Sequence, residues 1–192
     1  MKRLILSCAF LVLAGVLPAS ASSIVLTPST LTPTVGQLFT IQVGVTGTLA
    51  GRPPGDEVIF FGFNHANSDN TIASLVSVLV GPLFLDDSGA FPGTDVNGTA
   101  ALPGPVTDDP LLLAILTFSA LQPGLVTLAT VSDPGNPNEG LQFLADSIAN
   151  DLTGSLTLNV QEVQAVPEPS SVGLCTLGLL ALVARRRFAR GR

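Results

Sequence analysis

Phe39, Ile41, Val43 and Val45 alternate with Thr40, Gln42 and Gly44, and this two-residue period constrains the chain more than any other feature. Only an extended strand puts every second side chain on one face; a helix would scatter these apolar residues around its circumference. Leu156, Leu158 and Val160 repeat the pattern near the far end. Between them, 58–63 and 75–80 are short apolar runs without polar alternation, which predicts strands buried on both faces. The runs 111–118 and 125–131 flank Gln122-Pro123-Gly124 and predict either a hairpin or a crossing between sheets. A further strand carrying Phe143 fits within 139–148, with its pairing left open.

Pro53-Pro54-Gly55, Asp86-Asp87-Ser88-Gly89 and Asp133-Pro134-Gly135-Asn136-Pro137 punctuate these runs with residues that preset φ or cap their own backbone. Short strands joined by such turns predict an all-β, antiparallel sandwich of jelly-roll type over residues 22–160. No strand–helix alternation suggests a parallel α/β sheet. Phe39, Phe60, Phe61, Phe63 and Phe118 fall within the strand patterns and are assigned to the core.

The two ends differ from this middle. Lys2-Arg3, an apolar stretch over 4–17 and the small residues Ala19-Ser20-Ala21 predict a helical signal peptide over 1–21, cut after Ala21. Cys8 lies too early for a lipoprotein site. At the other end, Pro167-Glu168-Pro169 precedes the uncharged run 172–184, and Arg185-Arg186-Arg187 follows it. As a helix, the run would be about 20 Å long, against about 30 Å for a bilayer core. It predicts a single hydrophobic helix over 170–192 that inserts only transiently, preceded by a linker over 161–169.

The order of Pro-Glu-Pro, apolar run and arginine cluster closely resembles the PEP-CTERM sorting signal of Gram-negative bacteria. That resemblance implies an exosortase as partner during export, with Pro167, Glu168, Pro169, Arg185, Arg186 and Arg187 as the signal. It implies an inner-membrane intermediate and a final place at the cell surface or in the extracellular matrix. Positive charge at both ends agrees, since such ends stay cytoplasmic while the segment between is exported.

Charge narrows the partners. Residues 22–169 hold Arg52 as their one basic side chain against all 14 Asp and Glu, a formal charge of −13. Such a surface repels nucleic acid and anionic headgroups and favours cationic partners or divalent ions. Cys8 and Cys175 both lie outside this segment, so it has no disulfide, thiolate ligand or cysteine nucleophile.

Candidate chemistry is sparse. His65, the one histidine, is placed in an Asn-rich loop after the apolar strand. Ser68 and Asp69 follow it without the spacing of a nucleophile elbow. Asp86, Asp87, Asp95 and Asn97 set hard oxygen ligands in Gly-containing turns, the chemistry of a calcium site, although turn geometry alone accounts for such residues. Calcium is therefore the one cofactor considered. Asn97-Gly98-Thr99 matches a glycosylation sequon by pattern only. The chain has no Trp or Tyr, which disfavours sugar stacking.

Ser23-Ile24-Val25-Leu26-Thr27-Pro28 with the segment 35–43 resembles the opening strand pair of the cohesin-like sandwich. Phe61-Gly62-Phe63 resembles its third strand, and 113–124 resembles its Phe-x-Ala strand running into a Gly turn. The resemblance implies a non-enzymatic protein-binding module, with dockerin modules as the family's best-known partners. The alternative is a secreted acidic glycoside hydrolase or polysaccharide-binding protein, which would need a cleft holding paired carboxylates.

Overall fold

The computed structural model describes residues 22–101, 105–133, 135–145 and 149–164 of the 192-residue chain. Ten strands follow in order: β1 (Ser23–Pro28), β2 (Leu38–Thr46), β3 (Val58–Asn67), β4 (Ala73–Val80), β5 (Phe84–Asp86), β6 (Val96–Ala100), β7 (Leu111–Ala120), β8 (Gly124–Val131), β9 (Gly140–Phe143) and β10 (Gly154–Val160). One sheet has the order β1-β2-β7-β4; the other runs β10-β8-β3-β6-β5, with β9 also paired to β3. Every strand pairing is antiparallel. The described residues thus form the expected antiparallel sandwich. The two expected terminal helices, and the membrane insertion assigned to 170–192, lie outside them. Among the described residues no helix is long and apolar enough to cross a membrane.

The alternation in β2 does what its period demands. Phe39, Ile41, Val43 and Val45 are all buried, and they face Phe61 and Phe63 of β3 and Leu128 of β8 in one core. Phe39 stacks on its register partner Phe118 with ring centroids 5.7 Å apart. Phe61 meets Phe84 edge-on at 4.8 Å. Each buried aromatic contributes about 1.5–3 kcal/mol by leaving water, so this cluster supplies much of the cohesion that a disulfide-free domain requires.

Several expectations need correction. The run 75–80 is not buried on both faces, because β4 is a sheet edge with one face on the core: Val76 and Leu79 are 57% and 64% exposed. Residues Asn64-His65-Ala66-Asn67 are not a loop. They extend β3 and pair with β8 from Val131 to Leu128. The segment 95–99 is likewise mainly strand, since β6 begins at Val96 and pairs with β3. The open alternative at Gln122-Pro123-Gly124 resolves to a crossing, with β7 in one sheet and β8 in the other. Phe143 does lie on a strand, β9, and is buried beside β3.

Edges are unevenly protected. The free side of β10 is covered by 31–35: Asn159 N donates to Leu31 O, Gln161 N to Pro33 O, and Val35 N to Gln161 O, at 3.1, 2.8 and 2.9 Å. Thr34 and Gln161 form a parallel bridge there. β5 is only three residues long. β4, with eight residues and no charge or proline, pairs with β7 alone.

Candidate functional site

The site is built on β3, the central strand of the larger sheet. Its Phe61 and Phe63 enter the core, which turns Gly62 and Asn64 to the opposite face. Two loops cover that face. From the β5–β6 connection, Phe91 packs edge-on against Phe60 at 5.4 Å. From the β8–β9 connection, the Asn138 carbonyl lies so close over Gly62 that a Cβ there would collide with it, and would stand 2.6 Å from Asn97 Nδ2. Only glycine fits at position 62.

Asn64 ties both loops down. Its Oδ1 accepts from Asp95 N at 2.9 Å, and its Nδ2 donates to Gly93 O and Glu139 Oε1 at 3.0 and 3.1 Å. Glu139 is 5% exposed and accepts further bonds from Asn136 Nδ2 (2.8 Å) and Asp133 N (2.6 Å). These donors satisfy a buried carboxylate that has no cation among its hydrogen-bond partners. Sequence reasoning missed Asn64, Glu139 and Asn138. The turn residues at 133–137 signal a reversal but carry no sign of where it lands.

His65 sits within β3, half-buried, and Asp95 brackets it. Asp95 Oδ2 accepts the His65 amide at 3.1 Å and stands 2.8 Å from Nδ1. The ring contact lies off the line of a hydrogen bond, so Nδ1 has no hydrogen-bond partner. Ser68 and Asp69 build no triad with it: Ser68 Oγ accepts from Thr127 N, and Asp69 caps Thr71. The Thr71 hydroxyl and amide hold the Asp69 carboxyl below the usual carboxylate range.

The oxygen-ligand candidates separate. Asp86 ends β5 and accepts the Ser88 amide at 2.9 Å. The Asp87 amide donates to Asn97 O. Asn97 is fully buried in β6, with Nδ2 on Asn138 O at 3.1 Å and Oδ1 without a partner. In the folded domain the sequon asparagine is thus out of contact with solvent. Among the described residues no three His, Cys, Asp or Glu side chains gather as a metal group. Next to the loops, a shallow pocket of ≈ 310 Å³ is walled by Phe60, Phe91, Pro137, Asn138 and Gln142.

Arg52, the one basic residue of this segment, is used internally. Its Nε donates to Asp56 Oδ2, and its guanidinium lies 3.4 Å over the Phe143 ring. Burial pushes the Asp56 carboxyl up, but Arg52 and the amides of Ala145 and Glu57 together hold it below its ordinary value. The exposed acids Asp86, Asp95 and Asp133 therefore stand around β3, β6 and their loops with the domain's arginine committed elsewhere.

The signal-cleavage residues Ala19 and Ala21, and Pro167, Glu168, Pro169, Arg185, Arg186 and Arg187, lie outside the described residues. Residues 165–187 match the PEP-CTERM protein-sorting motif. The chain carries a PEP-CTERM signal. A protein with this signal is exported to the cell envelope or surface. The sandwich is similar to the cohesin module from a Clostridium perfringens family 33 glycoside hydrolase, with TM-score 0.50 and 15% identity over 74% of this chain and 97% of that one. A type II cohesin domain from the Acetivibrio cellulolyticus cellulosome gives TM-score 0.42 and 11% identity, covering 75% and 92%. The second type II cohesin module from an adaptor scaffoldin of that organism gives 0.43 and 14%, covering 80% and 98%. The first of these likenesses shows that the PEP-CTERM chain has a cohesin-like fold. No curated protein matches it.

Proposed function

We propose that the mature protein is a non-enzymatic binding module of the cell surface or secreted matrix, released to that place by an exosortase acting at its tail. It engages another protein through the acidic surface built on β3, β6 and their loops. The observation that carries this reading is the anchoring of both loops by Asn64, with exposed carboxylates beside them. A surface held rigid before binding loses little ordering entropy on contact, and its charge selects a cationic partner. The cohesin-like fold supports the same class of function.

The hydrolase alternative needs two carboxylates facing each other across a cleft. The pocket beside Phe60 and a groove beside Gly44 have no acid on their walls, which favours binding over hydrolysis.

The test is capture from an envelope extract of the native organism by residues 22–164, which contain all ten strands and the described core. Captured protein should elute with salt, and the triple variant Asp86→Asn, Asp87→Asn, Asp95→Asn should capture several-fold less. Capture of polysaccharide alone, persisting at high salt, would overturn the proposal.

A further inference from the structure

The four strands of the smaller sheet contain no Asp, Glu, Lys, Arg or His, although residues 22–169 carry a formal charge of −13. The charge is therefore placed entirely in the other sheet and the loops. On the solvent side of this sheet lie Val25, Leu38 and Leu79, which are 40%, 60% and 64% exposed. Leu79, Ile115, Gln42 and Thr27 form one row across β4, β7, β2 and β1. In the next outward-facing row, Val25, Gly44 and Leu112, with Pro110, line a largely apolar groove of ≈ 280 Å³ whose rim includes Thr27 and Gln42. Its floor is Gly44, where no side chain fills the space.

We propose that this face binds a second copy of the same chain, sheet against sheet. Charge chooses the occupant. Two copies of an acidic molecule repel wherever their carboxylates meet, and the strands of this face let them touch without burying one. A cationic partner gains nothing from an uncharged face, whereas a second copy offers the same uncharged face in return, as a closed twofold contact requires.

The geometry suits that symmetry. A twofold axis parallel to the strands and midway between β2 and β7 exchanges β4 with β1 while keeping each row level. It sets Leu79 of each copy over Thr27 of the other, at the rim of that copy's groove. Four strands about 4.8 Å apart and about 30 Å long give a footprint of about 600 Å² per copy. The total is close to the lower bound of about 1,200 Å² for specific complexes, so the dimer is reversible and depends on concentration.

Sedimentation velocity on residues 22–164 tests this. These residues hold all ten described strands, which lie inside the compact unit Met1–Glu162. A monomer–dimer equilibrium should appear as concentration rises, and added sodium chloride should strengthen it by screening the repulsion between copies. Leu79→Asp should weaken association at least tenfold at unchanged melting temperature, because the side chain is exposed. Leu85→Asp, at an equally exposed leucine on β5, should leave association as it was. A monomer at every concentration would overturn the proposal, as would a dimer that salt dissolves or one sensitive to Leu85→Asp and not Leu79→Asp.

Discussion

Asp95 holds His65 twice, accepting its backbone amide at 3.1 Å and standing 2.8 Å from its ring Nδ1. The pair joins the start of β6 to the C-terminal part of β3, where β3 pairs with β8. Asp95→Ala leaves that amide without its acceptor, and the expected loss is about 1 kcal/mol. Urea unfolding measures it. An unchanged midpoint would mean that water replaces the carboxylate at no cost.

Gly62→Ala tests how firmly the β8–β9 loop sits on β3. The new methyl meets the Asn138 backbone and Asn97 Nδ2, neither of which can swing aside like a long side chain. The expected destabilisation is about 1–3 kcal/mol, as for other overpacked sites. Thermal unfolding checks it, and amide exchange at 135–139 should rise in the variant. Wild-type stability would show the loop to be free to lift.

Acid should weaken the domain through three carboxyls. The carboxyls of Asp56, Asp69 and Asp151 are all held below the ordinary aspartate value of 3.8 in the folded domain. For Asp151 the Thr153 hydroxyl is the main cause, with the Ser132 hydroxyl adding to it against partial burial. Groups with depressed folded values bind fewer protons when folded, so their contribution is complete above about pH 4 and disappears as pH falls through the lower folded values. Melting temperatures should fall steeply below about pH 4. Asp56→Asn should lose about 3 kcal/mol at neutral pH by breaking a buried ion pair and show a shallower acid limb.

Calcium and sodium at matched ionic strength should raise the melting temperature equally. Both screen the crowded carboxylates, and no described group of three acids adds chelation. A larger rise with calcium, saturating with concentration, would instead reveal a site that stabilises the folded form by mass action.

Processing is read from intact mass. The protein recovered from cells should lack residues 1–21 and the segment after Pro169. Proline fixes φ and removes a backbone donor, so Pro-Glu-Pro is a poor helix former by sequence, and a run of 13 residues such as 172–184 is shorter than a membrane span needs. A mass that retains Arg185, Arg186 and Arg187 would make the tail a lasting attachment.

The core was legible because β2 and β10 face solvent on one side, so their sequence alternates, and the phenylalanines within strand patterns all became buried. The sorting signal was legible because a linear motif needs no tertiary context. His65 and Asn97 were misplaced for a single reason. Asparagine, glycine and histidine carry the composition of a turn even where, as here, they hold a strand's geometry. Their partners lie far along the chain: Asn64 meets Asp95 across 31 positions and Glu139 across 75. Composition does not encode such meetings. The edge position of β4 was hidden similarly, since an uncharged edge strand reads like a central one.

The cover that 31–35 lays along β10 has a mechanical consequence. Tension applied from the C-terminal side enters the sandwich at Gln161, the residue bridged to Thr34. β10 is held along one side by β8, over seven register pairs, and along the other by 31–35. A pull along the strand loads both ladders in shear, so many hydrogen bonds must fail together rather than one after another. Resistance to such a pull is set by the unfolding rate rather than by equilibrium stability. A domain tugged from its C-terminal end would thus hold its shape on the timescale of a brief load, even without a single disulfide to brace it.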